Sequence, residues 1–122
     1  MDRSILIVDD EPAVVDALRA VLSSYDVTVE STNNAADATA LLDQKRYCGL
    51  VLDLVLENSS GFDVLHHIAK HKLFVATVVV TGKLPSYVRE MLDEDHVKLV
   101  LPKPVEARLL AAVVLGLCGI PV

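Results

Sequence analysis

Ile5-Leu6-Ile7-Val8-Asp9-Asp10-Glu11-Pro12 is an unbroken apolar run closed by three acids and a proline. A run without polar alternation predicts a strand covered on both faces, as in a parallel sheet flanked by helices. Pro12 suits the first turn of a helix, where a missing N–H costs nothing and carboxylates meet the positive helix end. Val14, Val15, Leu18, Val21 and Leu22 then recur at helical spacing. The opening is therefore strand, acidic turn, amphipathic helix.

The same unit recurs along the chain. Val27 and Val29 alternate with polar neighbours and predict a short strand near a sheet edge. Asn33 or Asn34 can cap a second helix carrying Ala35, Ala38, Leu41 and Leu42 on one side. Leu50-Val51-Leu52 is a third apolar strand ending at Asp53. A loop through Glu57-Asn58-Ser59-Ser60-Gly61 leads to a helix with Val64, Leu65 and Ile68 facing inward. Val75 to Val80 is the most β-branched run and predicts a fourth strand, closing at Thr81-Gly82. Pro85-Ser86 opens a short fourth helix through Leu92. Val97, Leu99, Val100 and Leu101 form a fifth strand, interrupted by Pro102-Lys103-Pro104, and a last helix runs from about Val105 to Leu117. Five strands alternating with five helices across 122 residues predict one α/β domain, residues 1–122, built on a doubly wound parallel sheet.

Composition agrees and excludes several functions. Apolar residues make up 52% of the chain and Trp is absent, which suits short buried strands better than an aromatic-rich β-sandwich. A formal net charge of −6 without any Lys/Arg cluster argues against nucleic acid or anionic lipid as a partner. Leu109 to Val122 carries no charge, yet it is shorter than the roughly 20 apolar residues needed to span a bilayer. Cys48 and Cys118 are too few for a disulfide framework and are expected as buried free thiols, which points to a reducing cytoplasm.

In a sheet of this kind the binding crevice lies outside the carboxyl ends of the strands. Asp9-Asp10, Asp53, Thr81 and Lys103 all fall at or next to such ends. Crowded carboxylates repel one another, and a hard cation such as Mg²⁺ or Mn²⁺ with oxygen ligands relieves that repulsion. Thr81 is suited to hydrogen-bond a phosphoryl oxygen and Lys103 to neutralise another. The set fits covalent phosphorylation of a carboxylate, with no general base required. Taken singly, each residue has an ordinary reading: a helix N-terminus for the acids, a solvated strand end, a capping hydroxyl, an exposed lysine.

Together these positions resemble the receiver domain of response regulators. The acidic pair after the first strand, Asp53, Gly61 eight residues later, Thr81 and the Lys103-Pro104 pair carry that resemblance, in order, across essentially the whole chain. It implies a flavodoxin-like fold with strand order 2-1-3-4-5 and phosphorylation at Asp53. It further implies metal binding by Asp9, Asp10, Asp53 and the Val55 carbonyl, phosphoryl contacts from Thr81 and Lys103, and a cis Lys103–Pro104 bond. The implied partner is a histidine kinase or a histidine phosphotransfer protein. Catalysis is confined to the domain's own phosphorylation and slow dephosphorylation, so it is not a turnover enzyme.

Four residues depart from the family pattern. Glu57 stands where Pro is usual, Gly82 where Ala is common, Val100 replaces the aromatic switch residue, and Pro102 precedes the lysine. These departures keep a second reading open, a degenerate receiver that binds partners without phosphorylation. The last helix leaves little polar face after Arg108, and this apolar surface suggests a homodimer or a docked output domain. His67 and His71, spaced i, i+4, are read as a polar helix face rather than a metal pair.

Overall fold

The apolar run at the start of the chain becomes β1 (Ser4–Val8), whose five residues are all buried. A computed structural model describes residues 3–82 and 96–122. Within them follow α1 (Pro12–Leu22), β2 (Thr28–Thr32), α2 (Ala35–Gln44), β3 (Gly49–Asp53), α3 (Gly61–His71), β4 (Ala76–Thr81), β5 (Val97–Pro102) and α4 (Ala107–Leu117). Among the described residues the strands form one sheet in the order β2-β1-β3-β4-β5, every pair parallel. This is the predicted doubly wound, flavodoxin-like arrangement, with β2 at an edge.

Strand residues alternate between two cores because successive side chains point to opposite faces. Leu6, Val8, Leu50, Leu52 and Val79 pack with Ala38 and Leu42 of α2 and with Val64, Leu65 and Ile68 of α3. Ile5, Ile7, Val51, Val78 and Val80 pack with Leu18 and Leu22 of α1 and with Leu110, Ala111, Val114 and Leu115 of α4. Each fully buried Leu, Ile or Val contributes about 1.5–3 kcal/mol relative to exposure, so both sheet faces are energetically committed to their helices. The inward residues expected for α3 are the ones buried.

Asn34, rather than Asn33, caps α2: its side chain accepts the Asp37 N–H at 2.8 Å and donates back to Asp37 Oδ2 at 2.9 Å. Asn34→Ala is expected to lower stability by about 1 kcal/mol, read as an earlier urea midpoint with an unchanged slope. The predicted fourth helix, Pro85 to Leu92, lies outside the described residues. The last helix begins two residues later than predicted, at Ala107, because Glu106 is still extended at φ −64°, ψ 133°. Pro102 ends β5 without breaking it, as an edge strand tolerates a residue that cannot donate.

The cysteines require a correction. Cys48 and Cys118 are not free thiols but form a disulfide, with Cα atoms 5.0 Å apart across 70 residues of sequence. Cys48 immediately precedes β3 and Cys118 follows α4, which packs along β3. Gly49 permits this approach, since a Cβ there would lie 2.6 Å from Val114 Cγ2 and 3.2 Å from Cys118 Sγ. The inference of a reducing compartment loses the support it drew from free thiols.

Candidate functional site

Parallel register sets the site. Val8 pairs with Leu52, Asp53 with Val80, and Thr81 with Pro102, so Asp9, Asp53, Thr81 and Lys103 emerge side by side at the carboxyl ends of four adjacent strands. The Lys103 N–H donates to the Thr81 carbonyl at 2.8 Å, tying the last two of these ends together. Asp9, Asp53 and Thr81 are buried. The Lys103–Pro104 bond is cis, as the resemblance implied.

Asp9, Asp10 and Asp53 each present a carboxylate oxygen within 4.8 Å of the other two. Asp53 Oδ1 accepts the Val55 N–H at 3.0 Å, which ties the carboxylate to its own loop. Asp53 Oδ2 faces the Lys103 ammonium at 2.9 Å. Asp10 Oδ2 accepts the backbone N–H of Glu57. Glu57 thus enters the site through its main chain, while the residue itself is exposed. Thr81 stands one residue beyond the register partner of Asp53, on the neighbouring strand.

The Lys103 ammonium lies at the centre of this set, 3.0 Å from Asp9 Oδ2, 2.9 Å from Asp53 Oδ2 and 2.7 Å from Glu11 Oε1. Burial alone would lower the lysine pKa, but the hydrogen bonds it donates to Asp53, Glu11 and Asp9 outweigh it and hold the pKa above the ordinary value. Burial raises the Asp9 pKa, although the Glu11 N–H and Lys103 both oppose that shift. Among the described residues, one ammonium faces the carboxylates of Asp9, Asp10, Glu11 and Asp53, a set with net negative charge. Oxygen donors only, closely spaced and short of positive charge, fit a hard divalent cation such as Mg²⁺. The Val55 main chain is alongside, since its N–H already contacts Asp53.

Glu11 was hidden in the sequence by the acid triplet, which reads equally well as a favourable helix start. The structure separates the two roles: Glu11 occupies the N-cap of α1 but its side chain makes no capping bond, and the first turn holds no acid. Ser59 was likewise invisible as a contact; its Oγ accepts the Ala35 N–H at 2.9 Å and so fixes the start of α2 to the loop after Asp53. The histidines keep their structural reading. His67 Nε2 is 2.8 Å from Asp43 Oδ1 and His71 Nδ1 is 3.0 Å from the His67 carbonyl.

Residues 5–115 match the family described as response regulator receiver domain. The chain is 29% identical over 121 residues to the alginate biosynthesis transcriptional regulatory protein AlgB of Pseudomonas putida, an alignment covering 88% of this chain and 27% of that protein. It is 28% identical over 79 residues to the transcriptional regulatory protein TcrA of Mycobacterium tuberculosis, covering 65% of this chain and 31% of TcrA. The chain therefore spans about a third or less of these curated relatives. Among solved structures, the CheY-like receiver domain protein of Methanospirillum hungatei superposes with a TM-score of 0.84 at 24% identity, covering 96% of this chain and 94% of that one. The response regulator TrrA of Thermotoga maritima, solved in complex with Mg²⁺-BeF, superposes with a TM-score of 0.77 at 24% identity, covering 94% and 98%. At these identities both structures speak for the fold alone. Among the described residues, no helix is long and apolar enough to cross a membrane.

Proposed function

The chain belongs to the response regulator receiver domain family, and on that premise we propose that it is a phosphoryl-accepting switch of a two-component phosphorelay with Asp53 as the acceptor. The observation that carries this reading is the placement of the buried Asp53 carboxylate, 2.9 Å from Lys103 Nζ and within 4.8 Å of the Asp9 and Asp10 carboxylates. A carboxylate held among other acids is a poor phosphoryl acceptor until charge is neutralised around it. Asp9, Asp10, Asp53 and the Val55 carbonyl are the groups proposed to hold Mg²⁺ or Mn²⁺. When bound, such an ion would supply charge neutralisation at the incoming phosphoryl oxygens.

In the proposed step a carboxylate oxygen of Asp53 attacks the phosphorus of a phosphohistidine. The P–O bond forms, the P–N bond breaks, and the leaving imidazole takes a proton from solvent. Asp53 Oδ1 stays fixed by the Val55 N–H. Lys103 then exchanges an Asp53 oxygen for a phosphoryl oxygen, and the Thr81 hydroxyl donates to another. The donor is a histidine kinase or a histidine phosphotransfer protein, and the proposed compartment is the cytoplasm. The domain assists only its own phosphorylation and its slow hydrolysis, and the signal leaves through altered self-association or partner binding at α4.

Incubation with acetyl phosphate and Mg²⁺ tests the reading by intact mass. One phosphoryl adduct per chain is expected, mapping to the peptide that holds Asp53 and absent when the divalent cation is chelated. No adduct, under conditions that fully label an established receiver, would favour the phosphorylation-independent binding module instead.

A further inference from the structure

Among the described residues Lys103 Nζ contacts three carboxylates, and the three differ in kind. Asp9 and Asp53 are buried, with side chains 3% and 5% exposed, whereas Glu11 is 58% exposed and approaches from the solvent side at the shortest distance, 2.7 Å. Prolines flank both partners of this contact. Pro12 restricts the residue before it to extended backbone, and Glu11 sits at φ −95°, ψ 105°. Its side chain makes no capping bond and reaches Lys103 instead. On the other side, Lys103 lies between Pro102 and the cis-linked Pro104, and Glu11, Lys103 and Pro104 line one cleft beside Val14 and Val105.

The inner carboxylates have competing duties. Asp9 Oδ2 and Asp53 Oδ2 are the oxygens that Lys103 occupies here, and both residues belong to the set that fits a divalent cation. A divalent cation bound by this set competes with the ammonium for Asp9 and Asp53, and Glu11 is an anionic partner of Lys103 outside the set. We propose that Glu11 is a positioning residue, an outer seat for the Lys103 ammonium that frees Asp9 and Asp53 for metal and phosphoryl group while keeping the lysine at the rim. This inference rests on the phosphoacceptor reading and adds a residue to it.

Mg²⁺ binding to the full chain, measured by titration calorimetry, tests it without any phosphoryl chemistry. Glu11→Gln is expected to raise the Mg²⁺ dissociation constant about three- to fivefold, the range of one partly exposed charged contact. Glu11→Asp keeps the charge but shortens the arm by one methylene, and is expected to lose affinity about as Glu11→Gln does. In a Lys103→Met background, Glu11→Gln is expected to change the constant by less than about twofold, because the residue it seats is gone. Wild-type affinity in Glu11→Asp would assign the effect to overall charge and overturn the proposal. So would an undiminished effect in the Lys103→Met background, or no effect of Glu11→Gln in the wild type. A wild-type chain that binds no Mg²⁺ would remove the site reading itself and the Glu11 role with it, a result distinct from loss of the Glu11 effect alone.

Discussion

Asp53→Asn is expected to abolish the phosphoryl adduct completely, with no residual labelling at Asp9, Asp10 or Glu11. The substitution preserves size and shape, so what changes is chemical: an amide oxygen is not a nucleophile toward phosphorus under these conditions, whereas a carboxylate is. The neighbouring acids do not substitute for it. Asp9, Asp10 and Glu11 follow β1, whereas Asp53 ends the strand next to β4 and stands beside Thr81, the hydroxyl proposed to receive a phosphoryl oxygen. Folding should survive the change. Lys103 keeps Asp9 and Glu11 as partners, and one carboxylate fewer reduces repulsion on an acid-rich rim, so the Asp53→Asn variant should melt within about 5 °C of the wild type. Intact mass and a thermal melt on the same sample check both halves. Residual labelling of a folded variant would show that acceptance is not confined to Asp53.

Gly61→Ala carries the largest expected cost in stability. Gly61 opens α3, and its N–H donates to the Leu54 carbonyl at 2.9 Å, which draws the helix start against the chain that leaves β3. A Cβ at this position would lie 2.2 Å from the Asp53 carbonyl oxygen and 2.7 Å from Leu54 Cα. Both neighbours are backbone atoms, so no rotamer change relieves the clash. The helix must retreat or the acceptor's own main chain must move. A cost of about 3 kcal/mol or more is expected, at the upper end for overpacking. The readout is a lower urea midpoint at unchanged slope, together with slower Mg²⁺-dependent labelling of the fraction that remains folded. Gly82→Ala provides the contrast: a Cβ there meets nothing within 4 Å among the described residues, and a change within about 0.5 kcal/mol is expected. Equal effects at the two glycines would show that α3 tolerates displacement from Asp53.

The two glycines also mark how far the sequence could be read. Gly61 was singled out by its spacing from Asp53, but the sequence does not say that it abuts the acceptor's carbonyl. Asp9, Asp10, Asp53 and Lys103 were legible because each sits where an apolar run stops, and a stop at a strand's carboxyl end is a position as well as a residue type. Glu11 and Ser59 were not, because their contacts are made by reach. Glu11 touches a lysine 92 positions away and Ser59 an amide 24 positions away, and neither separation leaves a local pattern. Glu57, a conspicuous departure from the family pattern, contributes its N–H to Asp10, a role open to almost any residue but proline.

The sequence by itself determined the alternation of strands and helices, the two-faced burial of the sheet and the rim on which the acids, Thr81 and Lys103 lie. These follow from local periodicity, and burying the resulting apolar faces admits few arrangements of a parallel sheet. Only the tertiary structure decided which charges meet and which cysteines pair. Cys48 and Cys118 read as two separate buried thiols until the packing of α4 on β3 brought their Cα atoms to 5.0 Å. For Lys103 the sequence offered a phosphoryl contact, and only the register of four strands added the carboxylates of Asp9, Glu11 and Asp53 around it. Hydrophobic patterning is short-ranged along the chain, whereas side-chain pairing depends on distances set only once every layer has packed.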